Sequence, residues 1–159
     1  MSKKTQAAKD RAGVIAPPPL IFVVFILLGW LLEFRLPTTV LTGPLWARIG
    51  IGLIVLAALI ILIAVLQFRR ARTSPEPWRP TTAIVDTGLF RYSRNPMYLA
   101  AALFHVGIAL VLGSLWIVAG LVPALVVLHY GVIRREEVYL TRKFGDAYRS
   151  YLARVPRWL

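Results

Sequence analysis

Uncharged runs and polar clusters alternate along this chain, and the runs are long enough to predict helices that cross a bilayer. The first run, Leu20 to Leu32, is opened by Pro17, Pro18 and Pro19 and closed by Glu33, Arg35 and Pro37. Proline is tolerated there because the first-turn amides of a helix have no partners in any case. A short connection, Leu36 to Arg48, carries Pro37, Gly43, Pro44 and an interfacial Trp46. The second run, Ile49 to Phe68, holds no charge and stops at Arg69, Arg70 and Arg72. Ser74 to Arg94 is polar, proline-rich at its start and without helical periodicity, and a loop of that length is expected to have a function. Asn95-Pro96 then marks a helix start, Pro being suited to the first helical position. The third run, Met97 to Leu112, and the fourth, Leu115 to Ile133, are joined by Gly113-Ser114, which allows only a tight reversal. Pro123 predicts a kink or an opened backbone in the fourth. From Arg134 to Leu159 charges mix with aromatics. Leu140, Phe144, Tyr148 and Tyr151 fall at near-helical spacing, predicting an amphipathic helix on the membrane surface or on the polar loop.

The pattern predicts an all-α polytopic membrane helical bundle: four transmembrane helices with a C-terminal amphipathic segment. Residues 1–16 read as a cytoplasmic basic tail and 17–68 as an N-terminal transmembrane hairpin. Residues 69–159 read as a cofactor-binding loop, a second hairpin and a C-terminal catalytic segment.

Charge fixes an orientation. The chain of 159 residues has 19 Lys and Arg against 7 Asp and Glu, a formal +12. All the positive residues except Arg35 and Arg48 lie in the tail, the second connection and the C-terminal segment. Four spans put those three segments together, and the positive-inside bias makes that side cytoplasmic, with both termini on it. Anionic headgroups account for the excess without nucleic acid. The brief chain reads as a bacterial inner-membrane protein. Its lack of cysteine excludes disulfides, thiolate metal sites and a cysteine nucleophile. His105 and His129 are expected to form interhelical hydrogen bonds, and two lone histidines make no metal site.

Candidate chemistry gathers at one end of the second hairpin. One group is Gly88-Leu89-Phe90-Arg91-Tyr92-Ser93-Arg94-Asn95-Pro96-Met97-Tyr98. The other is Arg134-Arg135-Glu136-Glu137 followed by Phe144-Gly145-Asp146-Ala147-Tyr148. Helix N-terminal amides, aromatic faces, arginines and carboxylates beside an apolar bilayer suit a charged, adenine-bearing cofactor meeting a lipophilic acceptor. Arg91 by itself reads as a topology anchor.

Together with Tyr151 and Val155-Pro156-Arg157, these strings make the sequence resemble the isoprenylcysteine carboxyl methyltransferase and phospholipid methyltransferase superfamily of integral membrane enzymes, over roughly residues 82–157. The resemblance implies S-adenosylmethionine as cofactor. It carries cofactor contacts onto Thr82, Ala83, Ile84, Val85, Phe90, Asn95, Pro96, Met97, Tyr98 and Glu136, and catalytic roles onto Glu136, Arg135 and Arg134. Asn95 stands where many members have His, and it does not titrate near neutral pH. Val132 stands where the family has a substrate-side arginine, leaving Arg134 or Arg135 as the replacement.

The implied reaction is S-adenosylmethionine-dependent methyl transfer to a lipophilic small molecule or lipid, an in-line displacement that needs positioning and no covalent intermediate. The alternatives are an NADPH-dependent membrane reductase of the sterol or enone type, and a nonenzymatic small membrane protein. Carboxylate, amine, thiol and hydroxyl acceptors all remain open.

Overall fold

A computed structural model describes residues 12–159, and the basic residues Lys3, Lys4, Lys9 and Arg11 of the expected tail lie outside them. Among the described residues there is no strand. The helices are α1 (Pro18–Arg35), α2 (Pro44–Arg70), a 3-10 turn (Gly88–Arg91), α3 (Pro96–Leu112), α4 (Leu115–Leu128), a π-helical turn (His129–Ile133), α5 (Arg134–Phe144) and α6 (Asp146–Arg154). Three helical stretches have the length and composition to cross a membrane: α1, α2 and the run from Leu115 to Phe144. The shorter α3 is 17 apolar residues, or about 25 Å of rise. These are the four apolar helices of the expected bundle. Large side chains such as Leu27, Ile51, Leu59 and Val122 are more than half exposed along them, an apolar surface far larger than water tolerates. Lipid is its solvent.

Two boundaries differ from the sequence reading. α2 begins at Pro44 instead of Ile49, because proline fits the first helical position, so the first connection is shorter than Leu36 to Arg48. The fourth run is straightforward α-helix only to Leu128, and its backbone widens into a π-turn that contains Gly131 before continuing as α5. Pro123 lies within α4, upstream of that opening.

The described chain falls into two compact units. One comprises Pro18–Leu62 and Met97–Leu128. Its helices meet through small residues: a Cβ on Gly29 would come within 2.7 Å of the Ile117 backbone, and one on Gly50 within 2.6 Å of the Gly107 carbonyl. In lipid, where apolar surface gains nothing from leaving solvent, such backbone approach is what holds helices together. His105 on α3 bonds the Ile117 carbonyl of α4 at 2.7 Å and packs edge-on to Phe22, the interhelical hydrogen bond expected of it. Glu33, at the end of α1, accepts from the Thr38 amide and hydroxyl and from the Ser114 hydroxyl (2.7 Å), which ties the α1–α2 connection to the α3–α4 reversal.

The other unit comprises residues 12–17, Ile63–Pro96 and His129–Leu159. Residues 13 and 15, within the expected tail, are pinned there. The Ile15 amide donates to the Gly131 carbonyl at 3.1 Å, and Arg135 donates to the Gly13 carbonyl at 2.9 Å. The C-terminal segment is two helices, because Gly145 breaks it at φ 57°, ψ −128°, a conformation open only to glycine. Its aromatic face packs inward: Tyr148, Tyr151 and Val155 are buried, with Ile84 of the loop, Leu140, Phe144 and Leu152 against them. Of the two supports expected for this face, the polar loop is the one it meets.

Candidate functional site

The loop before α3 is shaped by a few fixed points. Thr73 is buried and its hydroxyl accepts from the Thr82 amide (2.9 Å), while the Thr82 hydroxyl donates to the Arg72 carbonyl (2.9 Å). The Thr81 amide donates to the Tyr139 hydroxyl at 3.2 Å, joining loop to α5. At Gly88, φ is +59° and an added Cβ would fall 1.8 Å from Gln67, so only glycine both turns and fits. Phe90 is buried edge-on against Phe68, and its carbonyl accepts the Tyr151 hydroxyl at 2.8 Å.

From there the chain runs into a polar cluster built from three separate segments. The Arg94 amide donates to the Pro156 carbonyl (3.0 Å), and the Asn95 side-chain NH2 donates to the Arg157 carbonyl (2.9 Å). The Asn95 amide is received by the buried Ser93 hydroxyl at 3.1 Å. On α5, Glu137 accepts Arg94 Nη1 on Oε1 (3.0 Å), and a two-pronged Arg157 fork: Nε on Oε1 (3.0 Å) and Nη2 on Oε2 (2.7 Å). Paired charge-assisted bonds of this kind fix geometry as well as adding energy. The side chains are 14% (Arg94), 17% (Glu137) and 33% (Arg157) exposed, so water screens them only in part. The hydrogen bonds it donates to Glu137 hold the Arg157 guanidinium above its ordinary pKa. Burial, followed by the Glu137 charge, pushes the Tyr148 phenol well above its ordinary value; burial does the same to Tyr151. Among the described residues Arg94 Nε is buried with no acceptor.

The residues singled out from sequence are distributed as follows. Ala83 and Ile84 are half-buried, Val85, Phe90 and Pro96 are buried, and Thr82 is exposed. Asn95 belongs to the cluster just described. Met97 and Tyr98 form the first turn of α3, and Glu136 is half-buried on α5 beside Glu137. Arg134 and Arg135 lie apart from the cluster: both are exposed, Arg134 over the Tyr130 ring at 5.6 Å and Arg135 on the Gly13 carbonyl. Val132 is fully buried in the π-turn. Sequence reasoning passed over Glu137, Arg94 and Arg157 as a connected set. The signal was present in the strings themselves, which put an arginine immediately before the Asn-Pro helix start and another after Val-Pro.

Fold and site together define an integral membrane protein of packed apolar helices, carrying a charged, aromatic-lined site on the loop and tail that flank its second hairpin. The family model for phospholipid methyltransferases matches residues 45–147, and the chain belongs to that family of membrane methyltransferases. The match takes in α2, the loop, α3, α4, the π-turn, α5 and the start of α6, and stops short of Arg157. An uncharacterized protein of Haemophilus influenzae is 41% identical over 63 residues, which are 40% of this chain and the whole of that protein. No solved structure matches the chain.

Proposed function

We propose that the chain is an S-adenosylmethionine-dependent membrane methyltransferase whose acceptor is a lipophilic molecule of the isoprenylcysteine or lipid kind, working on the cytoplasmic face with both termini on that side. The observation that carries the reading is the convergence of Arg94-Asn95-Pro96, Glu137 and Pro156-Arg157 on one another. Membership of a methyl-transferring family favours this over a nicotinamide-dependent reductase.

The residues present suit the cofactor. A buried Arg94 Nε–H without an acceptor is a donor of the kind a cofactor carboxylate takes up. Asn95, with its NH2 committed to the Arg157 carbonyl, keeps Oδ1 as an acceptor for a ribose hydroxyl or amino group. Glu136 offers a carboxylate to the ammonium end. When bound, S-adenosylmethionine supplies an electrophilic methyl on a sulfonium. The protein's part is to align donor and acceptor, exclude water and, for a neutral acceptor, hold a base near the proton that leaves. In this reading Glu137 acts as a positioning residue, clamping the tail so that the Asn95 amide keeps its orientation.

Calorimetric titration of the detergent-purified chain with S-adenosylmethionine tests the reading, with NADPH in parallel and Glu136→Ala as control. Saturable S-adenosylmethionine binding that weakens by tenfold or more in the variant, about what loss of a charged hydrogen bond costs, supports it. Binding of NADPH alone, or of neither by folded protein, overturns it.

A further inference from the structure

Beside the Arg94–Glu137–Arg157 cluster, and sharing none of those three residues, is an open cleft of about 250 Å3 lined by Asp86, Arg91, Tyr151, Arg154 and Val155. We infer that this cleft binds a phosphate group, through the Arg91 and Arg154 guanidiniums.

The charges in the cleft are unequal: two guanidiniums face one carboxylate. Among the described residues no carboxylate pairs with Arg91. Arg154 Nη2 stands 3.5 Å from Asp86 Oδ2, longer than the 2.7–2.9 Å usual for a charge-assisted bond, and both side chains are well exposed. Arg154 Nε makes only a 3.3 Å bond to the Ser150 carbonyl on its own helix. A contact that long and wet is worth little, so a better anion displaces it at small cost. Tyr151 is a wall and not a donor, since its hydroxyl is committed to the Phe90 carbonyl, and buried Val155 supplies an apolar patch. Arginine forks match the oxygens of a phosphate in pairs, and the volume is several times the roughly 30 Å3 of a water molecule, enough for phosphate with part of its ester.

The topology brings phosphate within reach. The α2–α3 loop carries Asp86 and Arg91, and the segment after the α3–α4 hairpin carries Arg154. Two apolar helices separate these segments, so both emerge on one membrane face, where phospholipid headgroups supply phosphate. A phospholipid headgroup and a free phosphate present the same chemistry here, and the test separates them.

Two probes are titrated into the purified full chain: phosphatidylglycerol, followed by native mass spectrometry against phosphatidylcholine, and inorganic phosphate, followed by calorimetry. Arg91→Gln and Arg154→Gln should each weaken the anionic probe about tenfold, the usual effect of losing a hydrogen bond to a charged group. Asp86→Asn should tighten it, because the internal competitor is gone. Response to phosphatidylglycerol alone assigns a lipid headgroup; response to both probes assigns a general phosphate site. Failure of both probes to bind, indifference to the arginine variants, or weaker binding in Asp86→Asn overturns the inference. The last result would mean that the Asp86–Arg154 pair is structural. S-adenosylmethionine affinity and thermal unfolding, measured on the same variants, report folding, and the phosphate result stands whether or not the methyltransferase reading does.

Discussion

Glu137 holds two arginines at once, and the arithmetic of such a residue is lopsided: with both partners present it is satisfied, and with its charge removed it leaves two guanidiniums facing a weaker acceptor. Glu137→Gln keeps the shape and loses the charge, and should cost about 2 kcal/mol of stability, measured by thermal or SDS-induced unfolding in detergent. A loss below roughly 0.5 kcal/mol would class the cluster with screened surface ion pairs. The neighbouring tyrosines set an alkaline limit. Burial raises the Tyr148 and Tyr151 phenols above their ordinary value, so the folded chain keeps them neutral where the unfolded chain ionises. Protons are then bound more tightly by the folded state. Stability is complete below the unfolded value of about 10 and falls as pH rises from there. Tyr148→Phe should flatten that alkaline fall. Unfolding followed against pH, with tyrosinate absorbance as a second signal, checks it, and an unchanged slope would place the alkaline sensitivity elsewhere.

Helices were far more legible in this sequence than the joints between them. Uncharged length alone located all four apolar helices, and Asn95-Pro96 located the start of α3. Hydropathy does not register how a backbone is hydrogen-bonded, so the π-turn at His129–Ile133 left no trace in it. Periodicity ran through Gly145 as if the C-terminal helix were continuous, because the residues on either side share a buried face even though the backbone breaks. The choice between Glu136 and Glu137 was equally invisible. Adjacent helical residues point about 100° apart, and which one meets Arg157 depends on where the tail docks. The π-turn has a test of its own. A Cβ on Gly131 would fall 2.2 Å from Ile15 Cδ1, so Gly131→Ala must displace the Ile15 side chain of the N-terminal segment pinned there. The substitution should destabilise by about 1–3 kcal/mol, the usual range for overpacking, and Ile15→Ala in the same chain should recover most of it. Strictly additive effects in that double-mutant cycle would mean that Ile15 does not rest on the π-turn in solution.

At the scale of the whole molecule, the bundle's stability and the site's orientation depend on the same count. Two apolar helices, α3 and α4, separate the loop from the tail, and the contacts between loop and tail require both on one face. An odd number of crossings between them would separate loop from tail, and the Arg94–Glu137–Arg157 cluster could not form. We propose the sign from the positive residues: the loop, the tail and the N-terminal segment carry nearly all of them, the bias of a cytoplasmic face. The chain contains no cysteine, so a single introduced one reports its own side without interference. Thr39, exposed in the α1–α2 connection, and Ala147, exposed on α6, are the informative positions. In intact cells a membrane-impermeant maleimide should label Thr39→Cys, and should reach Ala147→Cys only after permeabilisation. The opposite pattern would invert the orientation and move the site to the outer face. Labelling of both from outside would do more, because an α1–α2 connection and a tail on one side require an even number of crossings between them, where α2, α3 and α4 provide three. In that event α3, the apolar helix shorter than the three spanning stretches, would not cross, the loop and tail would lie on opposite faces, and the Arg94–Glu137–Arg157 cluster could not form.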